Sequence, residues 1–240
     1  MTLFRLDASI RTQGSASREL ADVVETEWLA ARPGDTVVRR DVGVDALPAT
    51  AWAAAVTGGR TAPDERTPEQ REAIALAATL VDELLAADAL LFAVPLYNYG
   101  VSQHFKTYAD LVFSDPRTKA GRLLDGKPTV LVTVRGGAYG TGTPREGWDH
   151  ATPYLRRVLA DCWGADLTVV EREFTLVGVD PALDQFAELA ARLHSDAVQA
   201  AHEAGRALAA RAGRTAPAEP KDLAEQTDPA AQKDEVMASA

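Results

Sequence analysis

The run Ala89-Leu90-Leu91-Phe92-Ala93-Val94 contains no polar residue and is followed at once by Pro95. A strand written this way has no solvent face, so it predicts the centre of a parallel sheet covered on both sides. Pro95 cannot donate to a strand ladder, Asn98 tolerates unusual backbone angles, and Gly100 admits close approach. Leu96-Tyr97-Asn98-Tyr99-Gly100 is therefore expected to leave the sheet as a loop whose N–H groups no sheet partner uses. A loop at the carboxyl end of a central parallel strand is where an open α/β sheet holds a flat polar ligand.

The remaining chain alternates in the same sense. Leu3 to Leu6 reads as a first strand, and a hydroxyl-rich stretch from Asp7 to Ser17 leads into a helix that Ser15 or Ser17 can cap, with Leu20, Val23, Val24, Trp28 and Leu29 inward. Thr36 to Val42 mixes in charges and suits an edge strand. After a long excursion over 43–68, Thr67-Pro68-Glu69-Gln70 opens a strong helix with Ile74, Leu76, Ala77, Leu80, Val81, Leu84 and Leu85 inward. A helix from 102, a buried strand over Thr129 to Val134, a helix near 148–161, a strand over Leu167 to Val170 and a long helix from Pro181 to Arg211 complete the pattern. Strands alternating with helices predict a doubly wound five-stranded parallel sheet of order 2-1-3-4-5 with helices on both faces. At 240 residues and 46% hydrophobic, the chain can bury one sizeable core, which we assign to a single domain over 1–212. Residues 213–240, rich in Pro, Ala, Glu, Lys and Gln, read as a disordered acidic tail.

A formal net charge of −10 argues against nucleic acid or an anionic membrane as partner, since both reward clustered Lys and Arg. No run approaches about 18 consecutive apolar residues, no basic segment leads into an apolar run at the N-terminus, and the expected location is the cytoplasm. Cys162, the single cysteine, excludes an internal disulfide framework and reads as a buried structural thiol beside Trp163. The four histidines are scattered, so no metal site is expected. Asp41 ends the second strand where a dinucleotide fold places a ribose-binding acid, but the first strand lacks the Gly-x-Gly-x-x-Gly turn that reading requires. Arg11 and Arg18 read as solvent-exposed.

Three loops therefore emerge on one edge. The first suits a phosphate, with the hydroxyls of Ser9, Ser15 and Ser17 and the N–H groups of residues 15–17 at a helix start, although serines ahead of a helix serve equally as caps. The other two, Leu96 to Tyr99 and Val134 to Gly137, suit the edge of a polar heterocycle. Tyr97 fits core or ligand contact alike, and Tyr99 is the better candidate for a ring neighbour.

Ser9 with Ser15-Ala16-Ser17, Pro95-Leu96-Tyr97-Asn98-Tyr99 and Arg135-Gly136-Gly137, joined by Thr67-Pro68-Glu69-Gln70 and Thr152-Pro153-Tyr154-Leu155, resemble the FMN-dependent NADH-azoreductase and quinone reductase family over residues 2–205. The resemblance implies a flavodoxin-like fold, non-covalent FMN, and a homodimer with its active sites at the interface. It also implies hydride passing from NADH or NADPH to flavin and on to a quinone or azo compound. Carried over, Ser9, Ser15, Ala16 and Ser17 would hold the phosphate side. Leu96, Tyr97, Asn98 and Tyr99, with Val134, Arg135, Gly136 and Gly137, would surround the isoalloxazine. The flavin is then the hydride relay and no side chain need act as nucleophile. A pathway-specific flavin or quinone reductase, or a non-catalytic flavodoxin-like electron carrier, stays open on the same residues. The chain departs from the family where substrate would bind. The connector over 114–122 is short and lacks aromatics, while the loop after Gly137 is long and offers Tyr139 and Trp148 to rebuild the pocket beside Tyr99.

Overall fold

All six residues of the 89–94 run are fully buried, which requires cover on both faces of the strand they form. The computed structural model describes residues 1–212, and the tail expected over 213–240 lies outside them. The described elements begin with β1 (Thr2–Asp7), α1 (Ala16–Ala31), β2 (Thr36–Asp41), α2 (Ala51–Gly58), α3 (Pro68–Ala86) and β3 (Ala89–Ala93). There follow β4 (Leu96–Tyr97), β5 (Gly100–Val101), α4 (Gln103–Ser114), β6 (Pro128–Val134), α5 (Thr152–Arg156), β7 (Asp166–Arg172) and α6 (Ala187–Ala212). The main sheet runs β2-β1-β3-β6-β7, all parallel, the expected order once the two short strands are set aside.

Period-two alternation divides β3 between two cores. Leu90, Phe92 and Val94 pack with Phe4, Leu80, Leu84, Phe105 and Trp163 under α3 and α4. Ala89, Leu91 and Ala93 pack with Leu20, Val24, Trp28, Ala201 and Leu208 under α1 and α6. On the first face Phe92 meets Phe4 and Phe105 edge-on, with ring centroids 6.3 and 6.2 Å apart. The second face is thinner. A Cβ on Gly205 would stand 2.7 Å from Val24 O and from Glu27 Cβ, so only glycine lets α6 approach α1 this closely. Arg32 then ties the pair by donating from Nε and Nη2 to Ala209 O at 2.8 and 2.6 Å.

Several local expectations are met in kind. Ser15 caps α1 and accepts from Arg18 N. Thr67 and Gln70 cap α3 reciprocally, with Pro68 in the first turn. β2 is the exposed edge. Others are corrected. The stretch after Pro95 is a tight antiparallel hairpin, Leu96 opposite Val101 and Tyr97 opposite Gly100, so part of its backbone is paired. Asn98 and Tyr99 form its turn with φ of 48° and 70°, as a two-residue hairpin needs. The helix expected near 148–161 starts at Thr152 and widens to a π-turn over Arg157–Cys162, and the last helix is preceded by a 3-10 segment over Pro181–Phe186. Leu29 and Leu85, expected inward, are exposed, and in each helix the residue before it, Trp28 or Leu84, turns into the core instead. Cys162 is also exposed, because the π-turn directs Trp163 rather than its neighbour into the core. Among the described residues no helix is long and apolar enough to cross a membrane.

Gly205→Ala is expected to destabilise the protein by about 1–3 kcal/mol through overpacking of α1 against α6. Urea unfolding should show a lower midpoint at an unchanged slope; an unchanged midpoint would mean the two helices are not in hard contact.

Candidate functional site

The carboxyl ends of β1, β3, β6 and β7 meet around a cleft of about 280 Å³. It is lined by Ser9, Ile10, Arg11, Gly14, Ser15, Ala16, Ser17, Pro95, Leu96, Tyr97, Val134, Gly136, Thr175 and Leu176. Eight of the residues named from sequence are brought together here: Ser9, Ser15, Ala16, Ser17, Leu96, Tyr97, Val134 and Gly136. Asn98, Tyr99, Arg135 and Gly137 are outside the lining. The first two make the hairpin turn. Thr175 and Leu176 were missed, although they follow β7 on the same sheet edge as the three loops that sequence reasoning used. The signal was the strand end itself.

One end of the cleft is suited to an anion. Ser15 Oγ accepts from Arg18 N at 3.4 Å and lies 3.3 Å from Ser17 Oγ, while among the described residues the N–H groups of Ala16 and Ser17 have no protein partner. Free donors at the positive end of a helix dipole favour negative charge. The loop ahead of the helix is held from both sides. Tyr97 Oη lies 3.0 Å from Ser9 Oγ and accepts from Ile10 N at 3.2 Å, so Tyr97 links the β3 hairpin to the β1 loop. From behind, Arg18 donates to Ser9 O at 2.9 Å and to Arg11 O at 3.0 Å. A Cβ on Gly43 would stand 2.0 Å from Ser9 O, so glycine is required where the chain leaving β2 passes under this loop.

Arg18 is therefore not the solvated side chain expected. It makes a bidentate pair with Asp41 at 2.6 and 2.8 Å and lies 3.8 Å from Asp7. The bonds it donates to Asp41 hold its guanidinium protonated beyond the usual range. Burial pushes the Asp41 carboxyl up, but Arg18 and the N–H groups of Val44 and Gly43 outweigh it and keep the group below the usual carboxylate range. Asp41 is thus occupied in fixing the loop. Behind this pair, Arg5 donates to the buried Asp7 at 2.9 Å and Glu25 at 3.1 Å and to the exposed Asp22 at 2.6 Å, which offsets the charge of the two buried acids.

The other end of the cleft is suited to the edge of a ring. The carbonyls of Arg135, Gly136 and Gly137 accept from the N–H groups of Thr175, Leu176 and Phe174 at 3.1, 3.1 and 3.3 Å. With the carbonyls drawn away, the N–H groups of Gly136 and Gly137 are left without a protein partner among the described residues. The Arg135 side chain points away from the cleft, and its backbone N–H donates to Arg172 O at 2.8 Å. It donates to Asp149 at 2.6 Å, Thr152 at 2.9 Å and Glu171 at 2.8 Å, bolting the start of α5 to β7. Burial pushes the Asp149 carboxyl up, and the N–H and hydroxyl of Thr152 together with Arg135 bring it below the ordinary range. Tyr99, Tyr139 and Trp148 form one cluster beside the hairpin. Tyr99 lies 5.4 Å from Trp148 and 6.4 Å from Tyr139 between ring centroids, and His150 N donates to Tyr99 O at 2.9 Å.

A family model described as flavodoxin-like fold matches residues 1–197. The chain belongs to that family. It is 40% identical to the FMN-dependent NADH:quinone oxidoreductase of Frankia alni, over 78% of this chain and 90% of the relative. It is 37% identical to the protein of that name from Frankia casuarinae, over 83% and 96%. Among solved structures it is similar to an azoreductase from Bacillus anthracis, with a TM-score of 0.72 at 23% identity over 86% of this chain and 98% of the other, a likeness of fold.

Arg135→Met should cost about 3–5 kcal/mol, because it takes the paired cation away from the largely buried Asp149 carboxylate. Adding Asp149→Leu should recover most of the loss in urea unfolding; equal midpoints for the single and double variants would show that the two groups are not coupled. Because the Asp149 carboxyl titrates below its unfolded value, its contribution is complete above about pH 4 and is lost as pH falls through the folded value. Asp149→Asn should accordingly flatten the acid limb of stability against pH.

Proposed function

We propose that this protein is a cytoplasmic, homodimeric, FMN-dependent oxidoreductase that passes electrons from NADH or NADPH to quinones and reductively cleaves aromatic azo bonds at the same site. The observation that supports this most is the pairing, in one cleft, of free donors at a helix start with the Gly136 amide, unpartnered among the described residues, and the Tyr97 hydroxyl. The names borne by the relatives point the same way.

The phosphate of FMN would be held by the N–H groups of Ala16 and Ser17 and the hydroxyls of Ser9 and Ser15, with the Arg11 guanidinium at the mouth. Leu96, Tyr97, Val134 and the N–H of Gly136 would flank the ring, with Asn98 and Tyr99 shaping the turn beside it and Gly137 offering a further N–H. Bound there, the flavin supplies hydride transfer that no side chain of this chain can perform. The protein's part is to hold it without a covalent bond, leave one side of the cleft open and favour negative charge at the ring edge with oriented amides. The balance is one NAD(P)H, one proton and one quinone giving NAD(P)+ and hydroquinone. Donor and acceptor would occupy the same open side in turn, which gives ping-pong kinetics.

The test is an anaerobic absorbance titration of FMN-reconstituted protein. Reduced nicotinamide should bleach the flavin and a simple benzoquinone should restore it. Binding without bleaching would favour an electron carrier instead, and absence of binding would refute the cleft assignment. Arg18→Gln should raise the Kd for FMN about tenfold while leaving riboflavin, which lacks the phosphate, within a factor of about two. Fluorescence quenching measures both, and an equal effect on the two ligands would show that Arg18 does not serve the phosphate end.

A further inference from the structure

The loop between β6 and α5 carries a cation that the reading above leaves unused. Arg145 is exposed, and its guanidinium carbon lies 5.7 Å from the centroid of the Tyr139 ring. A Cβ on Gly137 would stand 3.0 Å from Arg145 Nη1, so the cation lies over Gly137, the residue next to Gly136 of the cleft lining. Among the described residues Arg145 forms no ion pair, in a chain of net charge −10. The acids of its own surroundings are committed elsewhere. Glu146 accepts from Gly142 N at 2.8 Å, Glu173 from Tyr139 N at 2.8 Å, and Asp149 from Arg135.

A lone surface arginine is ordinarily a solvated cation. Here it closes an aromatic cluster in which Tyr99 and Trp148 remain 42% and 50% exposed, rings that the fold leaves in water without burying. Tyr99 is moreover held at φ 70°, a backbone region that tyrosine rarely adopts, by the hairpin turn and the bond from His150 N. Flat apolar faces with one unpaired guanidinium at their margin are complementary to a flat aromatic body bearing one fixed negative charge.

We propose that Arg145 is a specificity-determining residue, and that the preferred acceptors are fused-ring aromatic quinones or azo compounds carrying a sulfonate or carboxylate. The rings lie against Tyr99 and Trp148 and the anion lies at Arg145. The proposal rests on the quinone reductase reading and names its substrate class. The test compares 1,4-naphthoquinone-2-sulfonate with 1,4-naphthoquinone on the FMN-loaded protein. Wild type should favour the sulfonate in kcat/KM, with a KM that rises with added NaCl. Arg145→Gln should lower the sulfonate-to-parent ratio of kcat/KM about tenfold through KM, and Arg145→Lys should restore part of it. An unchanged ratio, or one insensitive to salt, would overturn the proposal. Binding of 2-naphthalenesulfonate, which cannot be reduced, is read independently by quenching of Trp148 fluorescence. Saturable quenching in wild type that weakens in Arg145→Gln supports the site even if neither quinone is reduced, in which case the reductase reading alone fails. Equal quenching in both proteins refutes the role of Arg145.

Discussion

The constraint on which this structure depends is that its central strand has no polar face. With every residue from 89 to 94 buried and neighbours bonded on both sides, β3 has no free backbone group along its length. Unpaired donors can arise only where strands end, and the right-handed crossovers of a parallel sheet gather those ends on one edge. The cleft is the place where backbone pairing stops.

What turns those loose ends into a site is a division of labour between charges and neutral dipoles. The charged side chains behind the cleft, Arg18, Asp41, Asp7 and Arg135, are spent on ion pairs and on loop carbonyls. By taking the carbonyls of Ser9 and Arg11, Arg18 fixes the loop that leads to the donors at the start of α1. Residues 174–176 do the same for Arg135, Gly136 and Gly137 and leave two amides free. Both ends of the cleft thus offer fixed dipoles, with the exposed Arg11 at the mouth.

Sheet order, the buried strands and the serine-bearing loop ahead of α1 were legible because each rests on a local pattern: an unbroken apolar run, a cap at a helix start, hydroxyls after a strand end. The hairpin after Pro95 was not, since two residues on each side are too few to show alternation and Tyr99 is an unlikely residue for positive φ. The inward turn of Arg18 and the outward turn of Arg135 depend on Asp41, Asp149 and Glu171, partners 23, 14 and 36 residues away in sequence. No local pattern encodes those pairings. Thr175 and Leu176 were hidden for a simpler reason, that residues 173–177 carry neither glycine nor serine to draw notice.

The measurement that tests the central claim most directly is hydrogen exchange of the protein with and without FMN, resolved by segment. The account predicts slowed exchange at residues 9–17, 95–101, 134–137 and 174–176, the four strand-end segments around the cleft, with α2 and α3 unaffected by the same ligand. Protection absent from these segments, or concentrated along the α2–α3 flank, would contradict it.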